Sequence, residues 1–493
     1  LNAGRTEEAI AIAESLLKPA PEVAADAPPE AETRDFLALC YLRLGEQENC
    51  IAHHGIESCL LPIRGGGVHT AQRGSRAAIR EFTTLLGNEP GNLSWRWLLN
   101  IAYMTVGEYP GKVPKGRLVP PRVFESEHDI TRFVDVAPRA GLSVSSHAGG
   151  AIMEDFDGDG ILDIMASSMG VRDPLRLFRS NGDGTFTERS KEAGLAGEVG
   201  GLNIVHADYD NDGDPDVLVL RGGWMRSGGK FPNSLLRNNG DGTFDDVTEE
   251  AGILSFHPTQ TGTFGDYDND GWLDLFIGNE SLPEDPHPSE LYRNNGDGTF
   301  TDRSADLGDT RFGYVKGVVW GDFNNDGRQD LWVAALGGAS HLFRNDGPAP
   351  GGAGGRDGSK GPAWRFTDVT RAAGILGPKD AFPSWFWDYD NDGWLDLLAG
   401  GYRVTDPADF TRLYLGQPVQ SELPRLHRNN RDGTFGDVTR NARLDRVLLP
   451  MGSNFGDLDN DGFPDCYFGT GQPSLNGLVP NRMFRNDGGK VFQ

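Results

Sequence analysis

The chain has 493 residues, enough for more than one domain, and a 37% hydrophobic fraction with 26 Phe that can fill a sizeable core. Its formal net charge of −26 excludes the basic footprint that nucleic acid or an anionic membrane surface demands of a partner. No apolar stretch approaches the ~18–20 residues needed to cross a bilayer, and four cysteines (Cys40, Cys50, Cys59 and Cys466) do not make a disulfide scaffold. A helical pattern is already under way at Leu1 and a repeat is unfinished at Gln493, so the chain reads as a fragment whose targeting segment lies elsewhere.

Residues 1–110 show helical spacing in EEAIAIAESLL, RDFLALCYLRLGE, RAAIREFTTLL and RWLLNIAYMTVGEY. Ala38, Tyr41 and Gly45 share their offsets with Asn100, Tyr103 and Gly107, a pattern that resembles helix A of a tetratricopeptide repeat. A small tetratricopeptide-like domain is expected, with the Pro/Ala-rich stretch 14–34 joining two of its helices. Within it, NCIAHHGIESCLLPIRGGGVH gathers Cys50, His53, His54, Cys59 and His69. Their irregular spacing matches no common zinc pattern. Two readings stay open: a thiolate and imidazole metal site, or a helix end and loop with one disulfide or two buried thiols. Proline density over YPGKVPKGRLVPPRVF makes 111–132 the expected interdomain linker.

From residue 133 to 493 one unit recurs: an apolar run, an Asp-rich loop, a second apolar run, a hairpin tip, then a Phe-containing strand and a short tail. The second copy reads NIVHADYDNDGDPDVLVL, SLLRNNGDGTF and DDVTEEAGI. Loops start at Asp155, Asp208, Asp266, Asp322, Asp388 and Asp457. Asn-Gly and Asp-Gly steps in NGDG favour tight hairpins, and about four short strands per repeat at a steady period predict a mainly β fold, a β-propeller of six visible blades, with seven open for a longer chain. PAPGGAGGRDGSKGPAW (348–364) reads as a flexible surface loop, and extra residues around 403–424 lengthen another connection. FVDVAPRAGL (133–142) resembles the tail of a unit, so it is expected to supply an outer strand that completes the last blade and closes the ring.

In DFDGDGILD, Asp155, Asp157 and Asp159 occupy positions 1, 3 and 5, Ile161 offers a backbone carbonyl from position 7, and Asp163 returns at position 9. The order repeats as Asp208, Asp210, Asp212, Asp214 and Asp216; Asp266, Asp268, Asp270, Trp272 and Asp274; Asp322, Asn324, Asp326, Arg328 and Asp330; Asp388, Asp390, Asp392, Trp394 and Asp396; and Asp457, Asp459, Asp461, Phe463 and Asp465. Hard Ca²⁺ takes six to eight oxygens at flexible geometry, and a tight loop with this spacing wraps carboxylates around one point; Mg²⁺ demands a stricter octahedron. Six bound Ca²⁺ would move the net charge from −26 to −14. Asn324 marks the weakest site. Without a Glu at position 12, affinities of about 10⁻⁴–10⁻³ M are expected, which suits a structural cation outside the cytoplasm.

D-x-D-x-D-G-x-x-D paired with N-G-D-G-T-F over 133–493 resembles the FG-GAP/VCBS repeats of integrin-α-type propellers, and the DVTxxAG tails resemble the ASPIC/UnbV, cartilage-acidic-protein-like group. The resemblance implies about six calcium ions, one per blade loop, and an extracellular, periplasmic or cell-surface setting. Trp272 and Trp394 offer a sugar-stacking surface or, as expected here, packing between blades. His206 is expected to be a strand residue with a satisfied ring. There is no G-x-S-x-G, HExxH or phosphate loop. The leading expectation is a noncatalytic recognition or adhesion protein with an unidentified protein or glycan ligand. Its rivals are a propeller enzyme acting on an extracellular polymer such as a polysaccharide, and a rigid structural spacer.

Overall fold

A computed structural model describes residues 4–18, 28–51, 55, 57–58, 60–126, 128, 133–350, 363–403, 406–471 and 477–493. His53, His54 and Cys59 lie outside these residues, as do 19–27 of the Pro/Ala-rich connection and 351–362 of the Gly-rich segment.

Helices α1 (Thr6–Leu16), α2 (Glu30–Glu46), α3 (Arg73–Asn88) and α4 (Leu93–Thr105) pack in sequence, each against the next. At the α2–α3 crossing a Cβ on Gly74 would lie 2.6 Å from the Tyr41 carbonyl, so only glycine permits this approach. Asn92 caps α4 by accepting the N–H of Trp95 at 3.1 Å. The Pro-rich segment that follows does not run free. Val113 and Val119 are buried, and Asn100 of α4 binds Val119 N–H and the Arg117 carbonyl.

Beyond it stands a propeller of six blades, each built from antiparallel neighbours. In blade 2 the strands are Asn203–Ala207, Asp216–Leu220, Ser234–Asn238 and Phe244–Asp246, running from the axis outward. Val217, Leu218, Val219 and Leu220 are all fully buried, because the second strand of a blade is covered by a neighbouring blade on each face. This explains why these strands read as unbroken apolar runs rather than as alternating ones. The tails of blades 1, 2, 4 and 5 also anchor the next blade: Phe244 N–H donates to the carbonyl of Ala193, Phe300 to Ala251, Phe435 to Ala373 and Phe492 to Ala442.

The ring does not close as the repeat pattern predicts. Blade 6 takes its outer strand from its own Val491–Phe492, so that position is already filled. Residues 133–136 join no sheet, and Ala137–Ala140 forms a short helix α5 whose end, Gly141, packs on the Phe186 carbonyl of blade 1. Inner strands pack side by side from blade 1 through blade 6, whereas Met153 and Tyr467, on the outer faces of blades 1 and 6, remain 56% and 38% exposed.

The lengthened connection in blade 5 has a clear role. It folds into helix α6 (Ala408–Tyr414), which packs on α4 and joins the helical core to the propeller. Trp97 is the centre of this joint: it stacks on Tyr414 with ring centroids 5.3 Å apart and donates its indole N–H to the Leu478 carbonyl at 2.7 Å. Thr411 Oγ1 donates to the Leu93 carbonyl at 2.9 Å across the same joint. Truncation Trp97→Ala is expected to cost about 3–5 kcal/mol and to make the helical region cleavable from the propeller. Chemical denaturation and limited proteolysis, compared with the parent chain, check both effects.

Candidate metal centre

Each Asp-rich loop joins the first and second strands of its blade and folds the same way in all six. The position-1 carboxylate accepts the N–H groups of positions 5 and 6; in loop 5, Asp392 and Gly393 both reach Asp388 at 2.8 Å. The position-5 carboxylate turns back on the N–H of position 7, as Asp270 does with Trp272 at 3.1 Å. Position 4 adopts the left-handed conformation, with Asn211, Asn269, Asn325, Asn391 and Asn460 at φ between 54° and 59°, which Asn tolerates better than other side chains. Gly158 takes this place in the first loop.

At position 9 the aspartate is interior: Asp216, Asp274, Asp330 and Asp396 are wholly inaccessible, and Asp163 and Asp465 nearly so. Asp216 accepts the N–H of Asn238 at 2.8 Å and that of Tyr209 at 3.2 Å. Burial pushes the carboxyl groups of Asp216, Asp274, Asp330 and Asp396 up to about 8, against the hydrogen bonds that favour their charge. A group held this far from water ionises readily only beside a cation.

Positions 1, 3 and 9 converge in five loops: Asp155, Asp157 and Asp163; Asp208, Asp210 and Asp216; Asp266, Asp268 and Asp274; Asp388, Asp390 and Asp396; and Asp457, Asp459 and Asp465. One oxygen from each lies within 4.8 Å of the others. A hard divalent cation fits these triads on a further observation. Asp210 Oδ1, Asp268 Oδ1, Asp390 Oδ1 and Asp396 Oδ2 are buried without a hydrogen-bond partner, and unpartnered interior carboxylate oxygens suit an ion as the missing ligand.

Arginines escaped the motif reading. In blade 3, Arg293 spans positions 3 and 5, with Nε 2.5 Å from Asp268 Oδ2 and Nη2 2.6 Å from Asp270 Oδ2. Arg428 does the same to Asp390 and Asp392, Arg485 to Asp459 and Asp461, and Arg179 to Asp157 and Asp159. In blades 3 and 5 the guanidinium takes the outer oxygen and leaves Oδ1 of position 3 turned inward. The signal was present in the recurring Arg before the hairpins (LFRSNGDG, LYRNNGDG, LHRNNRDG), but its partners lie 20–38 residues away, and Arg237 of LLRNNGDG pairs with Asp245 instead.

Loop 4 differs. Asn324 donates its amide to Asp326 Oδ2 at 3.0 Å, Arg328 pairs with the same carboxylate, and no triad of carboxylates forms here among the described residues. Asp322 and Asp330 keep their loop and strand hydrogen bonds, so the loop keeps the common fold with an amide in the place of the third carboxylate. Trp272 lies against Gly296 in the hairpin of its own blade and lines a groove between blades 2 and 3, where packing between blades was expected. His206 is a strand residue whose Nε2 sits 2.9 Å from Glu154 Oε1 of blade 1.

Loops are also tied to one another. The position-4 amides of Asn211, Asn269, Asn325 and Asn391 donate to Gly271, Gly327, Gly393 and Gly462 of the following loops at 2.7–3.2 Å. A second set runs backwards from the third strands: Asn238, Asn294, Asn345, Asn429 and Asn486 donate to the position-2 carbonyls of Phe156, Tyr209, Tyr267, Phe323 and Tyr389 in the preceding blades.

A propeller whose blades each carry a D-x-[D/N]-x-D-G-x-x-D turn between the first two strands is of the FG-GAP kind, and the FG-GAP-like repeat family matches residues 155–219, 224–277, 266–333 and 388–468, more than half of the chain; this protein belongs to that family. Among curated proteins it is similar to cartilage acidic protein 1 of Homo sapiens, 26% identical over 361 residues, which cover 68% of this chain and 48% of that protein. The Mus musculus protein of the same name is also 26% identical over 361 residues, 50% of its length, and that of Xenopus tropicalis is 25% identical over 243 residues. The chain thus spans about half the length of the mammalian relatives it matches.

Equilibrium dialysis against Ca²⁺ is expected to count five ions rather than six. The pair Asn324→Asp with Arg328→Ala restores the missing carboxylate and removes the internal cation, and it is expected to add one. An unchanged count in that variant would show that loop 4 is closed to cations for another reason.

Proposed function

We propose that this chain is an extracytoplasmic calcium-binding recognition or adhesion module, in which calcium holds the blade loops and an unidentified glycan or protein ligand is bound by the surface they frame. The observation that carries the calcium reading is the recurrence of one oxygen cage in five blades, with buried carboxylate oxygens left unpartnered in loops 2, 3 and 5. Weak affinity of about 10⁻⁴–10⁻³ M keeps such loops occupied where calcium is abundant, outside the cytoplasm. The name of the relatives, an acidic protein of cartilage, supports the same setting. No helix of the described residues is long and apolar enough to cross a membrane.

The surface favoured for the ligand is the groove of about 690 Å³ between blades 2 and 3. It is lined by Trp272, Arg237, Glu250, Asp245 and Asp297, an aromatic face among groups that can bond hydroxyls. That combination suits a sugar chain, which stacks a C–H face on an indole and offers its hydroxyls to carboxylates.

Excess chelator is expected to lower the melting temperature by several degrees, since loss of ions bound only to the folded state removes their linkage stabilisation. A melt that does not move would sink the calcium reading. On a glycan array the chain is expected to bind in millimolar Ca²⁺ and lose the signal in Trp272→Ala, whose melt should match the parent. Binding that survives this change places the ligand elsewhere.

A further inference from the structure

One of the five triad loops lacks the arginine clamp. Blades 1, 3, 5 and 6 each set a third-strand guanidinium on positions 3 and 5 of their loop. Blade 2 has Arg237 at the matching place before its hairpin, but that side chain turns to Asp245, with Nη2 3.4 Å from Oδ2, and stays 42% exposed. Loop 2 also gains a carboxylate, because position 7 is Asp214 where loops 1, 3, 5 and 6 have Ile161, Trp272, Trp394 and Phe463. Asp208, Asp210, Asp212, Asp214 and Asp216 therefore share one tight turn, and no cationic side chain pairs with any of them among the described residues. The turn is held by its own backbone alone: Asp208 accepts the N–H groups of Asp212 and Gly213, each at 3.0 Å, and Asp212 accepts that of Asp214 at 2.9 Å. Asp210 Oδ1 is buried without a partner.

We propose, on the calcium reading above, that loop 2 is the loop calcium orders, while Arg179, Arg293, Arg428 and Arg485 act as positioning residues that keep the other four folded with or without an ion. Charge and geometry both point this way. Each clamped loop sets four carboxylates against at least one guanidinium, whereas loop 2 sets five against none. Like charges packed in one turn repel, and a divalent cation relieves most where no internal cation does so already. A guanidinium bonded to two carboxylates at once also fixes their directions, because its donors form a rigid fork. Loop 2 has no such brace, so its carboxylates converge on one point only when an ion draws them there. The consequence reaches the groove between blades 2 and 3. Asp210 stands in the lining of that groove together with Arg237 and Asp245. Ordering of loop 2 therefore sets one wall of the groove, and the arginine that does not clamp the loop is the one that faces the ligand surface.

Amide hydrogen exchange of the full chain, read by mass spectrometry in millimolar Ca²⁺ and in excess chelator, separates the loops. In chelator the peptide over 208–216 is expected to exchange within about 10-fold of an unfolded chain, while those over 155–163, 266–274, 388–396 and 457–465 stay protected. Calcium is expected to restore protection to 208–216. Arg293→Ala removes the brace from loop 3 and is expected to make 266–274 lose its protection in chelator as loop 2 does. Asp214→Asn removes one charge from loop 2 and is expected to raise its protection in chelator; this variant decides the matter if Arg293→Ala fails to fold. A loop 2 as protected in chelator as the clamped loops, a loop 3 still protected after Arg293→Ala, or a loop 2 unmoved by Asp214→Asn would each overturn this inference alone. Exchange that calcium alters in none of the loops would overturn it together with the calcium reading.

Discussion

The position-9 aspartate is the constraint on which each blade depends. It starts the second strand, accepts the N–H of the third strand and, in blades 2, 3, 4 and 6, the position-2 N–H of its loop, and sits where water scarcely reaches. A carboxylate in that position ties three segments together at one point, but its charge is costly unless a cation stands beside it. The loop arranges for this: positions 1 and 3 bring two more carboxylates to the same place, and the third-strand arginine takes the outer oxygens of positions 3 and 5 in four blades. An ion held there would join loop, second strand and third strand into one rigid unit.

The asparagine links carry that rigidity around the ring. One set hangs each loop on the glycine of the next, and the other returns from each third strand to the loop before it. Filling one loop would therefore restrict its two neighbours, and stability would pass between blades as it does between repeats in other serial folds. Blade 1 is the weakest member of this chain, having Gly158 and Ser180 where the other blades have Asn. Blade 4 is the exception in another sense, since Asn324 and Arg328 bring a donor and a charge from within and keep the loop folded without the triad.

The helical region is fastened to this ring, not tethered loosely to it. The Pro-rich segment lies along α4, and helix α6 reaches out of blade 5 to meet Trp97. One face of the α-helical layer is thereby committed to the propeller, and the cavity near Cys50 lies at the same joint, with Leu478 and Val479 in its lining.

Periodicity in the sequence was enough for the blades, their number and the cation triads. Positions 1, 3 and 9 are close along the chain, and a single tight turn brings them together whatever lies around it. The arginine clamp was present as a recurring letter but not as a function, because its partners belong to another segment of the blade. Asn324 could be read as a missing charge, while the part played by Arg328 depended on where its side chain turned. Tertiary structure alone decided the rest: Val491–Phe492 filled the outer place that 133–142 was expected to take, the residues around 403–424 became a docking helix, and Cys50 met His69 across 19 residues. These outcomes rest on contacts between segments distant in sequence, and no local pattern of residue types records which segment will reach a shared position first.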